Sequence, residues 1–286
     1  MTREVRKVGV VGLGTMGAGI AQVCIQAGVE TVGREVSDEL GDAARARIDH
    51  YLGRGVEKGR LTNGEREAAL GRLTTTMDVT ELADCDLVIE AIVEDLDEKR
   101  AIFRDLEAVV RRDAVLATNT SALSVAAIAE ATDHPERVVG MHFFNPAPVL
   151  PLVEIVRAPD SADEAVETAF ALAERLGKRP IRCADTPGFV VNRILIPLLN
   201  DCVRVLDEAG VSPEDLDTAM TAGVNWPIGP CALIDLIGVD VHVHASAALH
   251  KALGEERMKP PERLLEMQAA GLLGRKSGRG FFAYET

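Results

Sequence analysis

An apolar strand that runs directly into a glycine-rich turn is the feature that most constrains how this chain folds. Residues 7–11 are followed by the hexapeptide GLGTMG and then by an apolar helical segment. In such a unit the first glycine permits a tight turn, the second lets the backbone approach a pyrophosphate, and the third lets the helix pack on the sheet. Because the helix N-terminus then faces the phosphates, the motif predicts a dinucleotide site. The predicted binding residues are Gly12, Leu13, Gly14, Thr15, Met16 and Gly17.

An acidic residue follows this motif at the interval expected for a ribose ligand. Glu35 lies 18 residues after Gly17, and the expected interval is about 20 residues. A carboxylate at the end of the second strand accepts hydrogen bonds from ribose hydroxyls and repels a 2′-phosphate, so the pattern favours NAD over NADP. The neighbouring Arg34 could tolerate that phosphate, so the residues alone leave NADP open.

The alternation of elements predicts the fold class. Up to residue 185 apolar strand-like runs alternate with amphipathic helical runs, and the remainder is helical almost throughout. This pattern predicts a Rossmann-type doubly wound α/β sheet in residues 1–185, followed by an all-α C-terminal domain in residues 186–286. The predicted strands are residues 7–11, 31–36, 87–91, 114–118, 138–143 and 153–156. The predicted helices are residues 16–27, 41–58, 65–72, 97–111, 125–131, 163–176 and 189–209, one beginning at Ser212, and two more at 231–253 and 261–270.

Composition limits the partners that the chain can bind. Its 286 residues carry 31 basic and 45 acidic side chains, a formal charge of −14, and only 3% are aromatic. This balance argues against nucleic acid and against an anionic membrane as partners. The five cysteines form no CxxC pair, and no histidine cluster has metal-ligand spacing, so we expect no metal. Residues 8–29 are uncharged but too rich in glycine for a membrane span, and we expect a cytoplasmic protein.

Three polar residues stand at the ends of predicted strands or within them. Ser121 follows the strand 114–118, His142 lies near the end of the strand 138–143, and Glu154 lies within the last apolar run. A carboxylate in such a run is costly unless it is paired, and a His142–Glu154 pair would satisfy both groups and favour a general base. From the residues alone, Ser121 fits a turn hydroxyl equally well, and a histidine in a buried strand is more often a satisfied core residue.

Taken together, these segments resemble the 3-hydroxyacyl-CoA dehydrogenases, above all the short bacterial 3-hydroxybutyryl-CoA dehydrogenases. The resemblance covers essentially the whole chain. It rests on the segments GLGTMG, VIEAIVED, TNTSALS, HFFNPAPVLPLVEIV, DTPGFVVNR, WPIGP and GRKSGRGFF. It implies an enzyme of fatty acid metabolism that interconverts (S)-3-hydroxyacyl-CoA and 3-oxoacyl-CoA with NAD, with His142 as general base and acid and Glu154 as its partner.

The resemblance also implies roles for residues that patterning alone does not single out. Ser121 and Asn192 would bind the reacting oxygen and help to position the nicotinamide. The other residues implied to line the cofactor site are Glu94, Lys99, Asn145 and Lys276.

A lysine is implied to bind the coenzyme A part of the substrate. Lys58 would make this contact, within a basic stretch that contains Arg45, Arg47, Arg54 and Arg60. The family further implies a homodimer formed through the C-terminal helical domain.

The chain departs from the family pattern at two positions. Glu35 stands where the family usually has aspartate, and both side chains can serve the ribose. Trp226 precedes the segment PIGP, where a smaller or more polar aromatic residue is expected, and it would change the acyl pocket or the dimer contact.

Other classes of protein share parts of this pattern. The β-hydroxyacid dehydrogenases, which act on free acids, share GLGTMG, but they carry a catalytic lysine on the helix after the cofactor domain, and residues 189–199 contain no lysine. A λ-crystallin-like relative that acts on a sugar acid shares the HFFNP type of site. A dinucleotide-binding sensor without activity would not need His142, Glu154, Ser121 and Asn192 together.

Overall fold

The computed structural model describes residues 4–285. They form two compact units, divided between Thr186 and Pro187. The first unit contains an eight-stranded sheet with the order β3-β2-β1-β4-β5-β6-β7-β8. Its strands are β1 (Lys7–Val11), β2 (Glu30–Arg34), β3 (Leu73–Thr76), β4 (Leu87–Glu90), β5 (Val115–Thr118), β6 (Val138–Phe143), β7 (Leu152–Arg157) and β8 (Arg179–Ala184).

The sheet is parallel except where β6 meets β7, which run antiparallel. Together with the helical second unit, this confirms the predicted Rossmann-type α/β sheet followed by an all-α domain. The helices are α1 (Thr15–Gln26), α2 (Asp38–Glu57), α3 (Asn63–Leu70), α4 (Leu96–Val109), α5 (Val125–Ala129), α6 (Asp163–Arg175), α7 (Val191–Ala209), α8 (Pro213–Val224), α9 (Pro230–Ile237), α10 (Val239–Leu253) and α11 (Glu262–Ala269).

Steric contact within the glycine motif explains why β1 leads directly into α1. Gly12 has a φ of +83°, which favours glycine. A Cβ on Gly17 would lie 1.7 Å from the Gly12 carbonyl oxygen, so no larger residue fits at position 17. The Leu13 side chain is buried and packs where a Cβ on Gly33 of β2 would stand. The motif therefore joins β1, α1 and β2 in one close-packed corner.

The two outermost strands were not predicted from the sequence. Strand β3 reads LTTT, and β8 reads RPIRCA with mostly exposed or half-buried residues. Both lie at edges of the sheet, where a strand has one unpaired side and needs no continuous apolar run. Pro180 is tolerated in β8 for the same reason.

The predicted helix over residues 231–253 is wrong as a single element. It divides into α9 and α10 at Gly238, whose φ of 103° is a conformation that glycine adopts readily and other residues rarely do. Within residues 4–285 no single helix has the length and apolar composition of a membrane span, and α9 with α10 meets that test only as a pair bent by 94°. Helix α7 ends at Gly210 and α8 begins with a Ser212 cap and Pro213, as predicted.

A buried polar cluster connects α7 and α10 in the second unit. Asn200 is fully buried, and its Oδ1 lies 2.9 Å from His242 Nε2 and accepts a hydrogen bond from Ser246 at 3.2 Å. The Asn200 amide group donates to the carbonyl oxygens of Met258 and its neighbours. Burial lowers the pKa of His242 from 6.5 to about 4. This histidine is therefore a neutral core residue at neutral pH.

Acid should destabilise the second unit through His242. Between pH 6.5 and 4 the unfolded chain binds a proton that the folded chain excludes, so the free energy of unfolding falls as the pH falls through this window. The expected loss near pH 5 is about 2 kcal/mol. Urea unfolding followed by the fluorescence of Trp226, the one tryptophan of the chain, measures this loss.

Substitution of the histidine isolates its contribution. His242→Gln retains an amide donor for Asn200 but does not titrate, so its stability should depend less on pH in this window. His244→Gln, two residues along α10 at an exposed position, is the matched control and should behave as the wild type. Equal pH dependence in all three proteins would show that His242 is not the cause.

Candidate active site

Glu35 is held against the glycine loop. Its Oε1 accepts a hydrogen bond from the Leu13 amide at 2.5 Å, and its Oε2 accepts one from the Val36 amide at 3.0 Å. The position of a Cβ on Gly14 is open, with no atom within 4 Å. The loop thus combines a fixed carboxylate with exposed backbone, an arrangement that fits a ribose and a pyrophosphate. Arg34 donates to the Met77 carbonyl at 3.3 Å.

The basic residues predicted to form one patch make separate contacts in the structure. Arg45 donates to the carbonyl oxygens of Leu73 and Leu70, at 2.6 and 3.2 Å, and so holds α2 to the edge of the sheet. Arg47 donates to the Leu13 carbonyl at 2.7 Å, which places a guanidinium beside the glycine loop. Lys58 caps the C-terminal end of α2 and is exposed. Sequence reasoning treated these cations as one patch and missed the contact of Arg47.

His142 and Glu154 face each other across β6 and β7. They are register partners in the antiparallel pair, and His142 Nδ1 lies 2.7 Å from Glu154 Oε2. His142 is 5% exposed and Glu154 is fully buried. A carboxylate at Nδ1 favours the tautomer with its hydrogen on that nitrogen, which puts the basic lone pair on Nε2. The Phe144 ring packs against the imidazole, with 4.5 Å between the centroids.

The segment after β5 is fixed by side chains that bind its backbone. Glu94 Oε1 accepts hydrogen bonds from the Thr120 hydroxyl at 2.6 Å, the Ser121 amide at 2.9 Å and the Ala122 amide at 3.0 Å. Asn119 Oδ1 accepts one from the amide of Phe143, the residue after His142. Ser121 is therefore held on the same edge of the sheet as the His142–Glu154 pair, at the carboxyl ends of β5 and β6.

The environment of Glu94 keeps it ionised. Burial raises the pKa of this carboxyl group, but the Lys99 ammonium and the donors of residues 120–122 outweigh that effect, so the net pKa is lowered. An ionised carboxylate accepts hydrogen bonds and donates none, which suits its contacts with backbone amides.

Lys99 lies deeper than its implied role suggests. Its side chain is 1% exposed, and its ammonium group donates to Glu90 Oε1 at 2.6 Å. Contact of Lys99 with a cofactor stays a prediction, and the structure places its amine in a buried ion pair. Glu90 was missed in the sequence, although a carboxylate at the end of the apolar run LVIE is the same signal that singled out Glu154.

The remaining predicted residues are at the surface of the first unit or belong to the second. Asn145 is exposed just after β6. In the second unit, Asn192 lies in the first turn of α7, the Lys276 ammonium is 2.6 Å from Asp240, and Trp226 packs against the apolar core. Among residues 4–285 no three histidine, cysteine, aspartate or glutamate side chains are grouped as metal ligands.

Glu35 should set the choice between NADH and NADPH. Glu35→Gln keeps an acceptor for the Leu13 amide but removes the charge that repels a 2′-phosphate. The dissociation constant for NADPH divided by that for NADH should therefore fall roughly tenfold, the effect expected of one nearby charge. Titrations that follow the fluorescence of the reduced nicotinamide measure both constants.

Glu30→Gln is the control for this change. Glu30 begins β2, is exposed, and lies at the opposite end of the strand from Glu35, so its substitution should leave the ratio unchanged. If Glu35→Gln also leaves the ratio unchanged, Glu35 is not the selecting residue.

Comparison with known proteins agrees with this geometry over the whole chain. Residues 7–186 match the NAD-binding domain of 3-hydroxyacyl-CoA dehydrogenase, and residues 188–284 match its C-terminal domain. The chain is similar to a 3-hydroxybutyryl-CoA dehydrogenase of Mycobacterium tuberculosis, with 46% identity over 99% of this chain and 100% of the relative. A probable 3-hydroxybutyryl-CoA dehydrogenase of Deinococcus radiodurans is 44% identical over 97% of this chain and 100% of its own length.

A solved structure extends the comparison to the backbone. The (S)-3-hydroxybutyryl-CoA dehydrogenase of Ralstonia eutropha superposes with a TM-score of 0.95 at 40% identity, covering 99% of this chain and 100% of that one. The resemblance inferred from the sequence motifs is thereby confirmed. The chain belongs to the 3-hydroxyacyl-CoA dehydrogenase family and is an NAD-dependent oxidoreductase of that family.

Proposed function

We propose that this enzyme interconverts (S)-3-hydroxybutyryl-CoA and acetoacetyl-CoA, with His142 as general base and acid and Glu154 as its partner. The observation that carries the proposal is the buried His142–Glu154 contact of 2.7 Å at the carboxyl end of β6. The four-carbon substrate is supported by the names of the similar proteins from Deinococcus, Mycobacterium and Ralstonia. A cytoplasmic location remains part of this proposal.

The acid–base chemistry follows from the tautomer that Glu154 favours. In the oxidative direction His142 Nε2 takes the proton of the 3-hydroxyl group. NAD, which the glycine loop and Glu35 would hold, would supply the acceptor for the hydride from C3. The imidazolium that forms is buried, where an unpaired cation would be strongly disfavoured, and the Glu154 carboxylate stabilises it. In the reductive direction an imidazolium donates its proton to the forming alkoxide. Exchange with solvent closes the proton balance, because the imidazolium releases its proton after each oxidation and the imidazole gains one after each reduction.

Two residues are proposed to hold the reacting oxygen. Ser121, on a segment fixed by Glu94, would donate its hydroxyl group to that oxygen, and Asn192 would donate its side-chain amide. A donor aimed at an oxygen that gains charge in the transition state typically contributes about 3–4 kcal/mol. Their combined role is to hold C3 and its oxygen in reach of His142.

The coenzyme A and cofactor contacts carried over from the family remain part of the proposal. Lys58 is supported as a ligand of the coenzyme A phosphates by its exposed position at the end of α2, with the exposed Arg54 one turn before it. These cations create local positive charge on a chain that is acidic overall. Asn145 and Lys276 are proposed to line the cofactor site, both from exposed positions.

Loss of His142 should lower turnover severely without loss of cofactor binding. In the oxidation of NADH by acetoacetyl-CoA, His142→Asn should lower kcat by about 10²–10⁴-fold, the usual contribution of a general acid or base. Glu154→Gln should lower it less, because the ring remains but its cation loses its stabilising charge. Stopped-flow turnover and NADH titration, run on the same samples, separate the two effects.

The matched control is a second histidine–carboxylate pair outside the proposed site. His134 Nδ1 lies 3.1 Å from Glu136 in a partly exposed position, so His134→Asn should leave kcat unchanged. Free acetoacetate, run beside acetoacetyl-CoA, tests the alternative of an enzyme for free acids. Near-wild-type turnover by His142→Asn, or better turnover of the free acid, would contradict the proposal.

The second unit is proposed to form a homodimer with a second copy of this chain. The support is a set of apolar side chains that are about half or more exposed in this unit. They are Ile194, Val205, Val224, Leu236, Val241 and Leu265. Scattered exposed apolar residues are ordinary, so the homodimer is carried over from the family resemblance, and these six side chains are the candidates for its contact.

The mass in solution tests this proposal. Sedimentation equilibrium should give twice the chain mass of 30.6 kDa. Leu236→Glu combined with Val241→Glu, which places charge on either side of the α9–α10 bend, should shift the equilibrium toward the monomer. Val149→Glu, at a 71% exposed position of the first unit, should leave the dimer intact. A monomeric wild type would overturn the proposal, and a fully dimeric double variant would move the interface away from this bend.

A further inference from the structure

Residues 119–124, the Ser121 segment, join β5 to α5 without regular secondary structure. Most backbone amides of residues 120–127 donate to side-chain oxygens. The shape of the segment therefore depends on those side chains. Glu94 holds its middle by accepting hydrogen bonds from two of its amides. A different carboxylate, that of Asp185, holds the end that enters α5.

Asp185 lies where three elements of the first unit meet. It is the residue after β8, and its amide donates to the carbonyl oxygen of Arg157, the last residue of β7, at 3.0 Å. Its Oδ2 accepts hydrogen bonds from the Ser124 hydroxyl at 2.7 Å and from the Ala126 amide at 2.8 Å. One carboxylate oxygen thus ties the start of α5 to the ends of β7 and β8.

The contact with Asp185 orients the Ser124 hydroxyl group. This hydroxyl group donates to Asp185 and accepts a hydrogen bond from the Ala127 amide at 3.2 Å, which caps α5. A hydroxyl group has one hydrogen to donate, and the direction of that hydrogen determines where its lone pairs point. Without Asp185 the hydroxyl group would lose its fixed direction, and the Ala126 amide would lose its acceptor.

The start of α5 is packed on the strand that carries the histidine. Val125, its first residue, is fully buried, and a Cβ on Gly140 of β6 would lie 3.0 Å from a methyl carbon of Val125. Gly140 is two residues before His142. The Ser121 segment therefore runs from the end of β5 to a point packed on β6, and Asp185 fixes that second end.

We propose that Asp185 is a positioning residue, which holds the far end of the Ser121 segment and so sets the distance between Ser121 and His142. The proposal rests on the proposed role of Ser121 as a donor to the reacting oxygen. Asp185 touches neither substrate nor cofactor in this scheme. It acts only through its contacts with Ser124 and Ala126.

Stability of α5 alone does not account for this carboxylate. The helix has only five residues, and Ser124 by itself supplies its side-chain cap. The bonds of Asp185 join this cap to two strands, and so they fix where α5 begins. A segment held only at its middle would leave several positions open to the Ser121 hydroxyl group, and a displacement of about 1 Å is enough to lower a rate by about 10²-fold.

The first test compares two substitutions at position 185. Asp185→Ala removes both side-chain hydrogen bonds, and kcat/KM for acetoacetyl-CoA should fall roughly 10–100-fold. The loss should appear mainly in kcat, because the displaced hydroxyl group serves an oxygen that gains charge in the transition state. Asp185→Asn keeps an oxygen that accepts both bonds, so its kcat/KM should stay close to that of the wild type.

The second test determines whether the effect passes through Ser121. In a Ser121→Ala background there is no hydroxyl group to place, so Asp185→Ala should cause no further loss of kcat/KM. A general loss of folded protein would instead lower kcat/KM by the same factor in both backgrounds. Ser124→Ala removes only one of the two contacts and is the milder change, and its effect should depend on Ser121 in the same way.

Glu107 offers a matched control, because its carboxylate also holds backbone amides of a loop. It accepts hydrogen bonds from the amides of Asp133 and His134, at 2.7 and 3.0 Å, before the amino end of β6. Glu107→Ala should lower the melting temperature, as Asp185→Ala does, but should leave kcat/KM unchanged.

The possible failures are distinguishable. Wild-type kcat/KM in Asp185→Ala, or an equal loss with and without the Ser121 hydroxyl group, would overturn the positioning role of Asp185 and leave that of Ser121 intact. A loss in Asp185→Asn as large as that in Asp185→Ala would overturn the role of the two hydrogen bonds. Wild-type kcat/KM in Ser121→Ala alone would overturn the proposed role of Ser121, and the positioning by Asp185 with it.

Discussion

A charged group that leaves water must find partners, and this requirement organises the carboxyl-terminal edge of the sheet. Four glutamates meet there, at positions 35, 90, 94 and 154, and each accepts hydrogen bonds from a neighbouring element. Glu35 ties β2 to the glycine loop, Glu90 ties β4 to β5, Glu94 fixes the segment after β5, and Glu154 orients the histidine of β6. Because each carboxylate is unfavourable alone, the elements that satisfy them are held in place together.

This arrangement also explains how a chain of charge −14 can serve an anionic cofactor and an anionic substrate. Glu90 and Glu94 share the Lys99 ammonium, and Glu35 is turned toward backbone amides, so these carboxylates are stabilised within the fold while Glu35 keeps the charge that repels a 2′-phosphate. Arg47 adds a guanidinium beside the glycine loop, against the Leu13 carbonyl. The mean charge of a protein governs its interaction with large polyanions, whereas the local balance of charges governs the binding of a small anion in a pocket.

The fold could be predicted from the sequence at positions where only one residue type is possible. It was harder to predict where the packing of distant segments determines the structure. The glycine motif was readable because Gly12 needs a positive φ and Gly17 has no room for a Cβ. The pairing of His142 with Glu154 was suggested by the cost of a carboxylate in an apolar run, but its geometry depends on the register of two strands.

Strands β3 and β8 were not predicted, since an edge strand can be short and polar. The bend at Gly238 was hidden within a continuous helical pattern. Arg45, Arg47 and Lys99 were recognised as cations, but only the structure shows which carbonyl or carboxylate each one binds.

The exposed edge strand β8 has a consequence for the register of the strand that carries Glu154. Side chains alternate between the two faces of a strand, so a slip of β7 by one residue would turn Glu154 away from His142. The segment between β6 and β7 is long enough to permit such a slip, but β7 is also paired with β8 on its other side, with Glu154 opposite Ile181. Pairing with β8 therefore holds β7 in register independently of the segment 144–151. The least conspicuous strand in the sequence thus helps to keep Glu154 opposite His142.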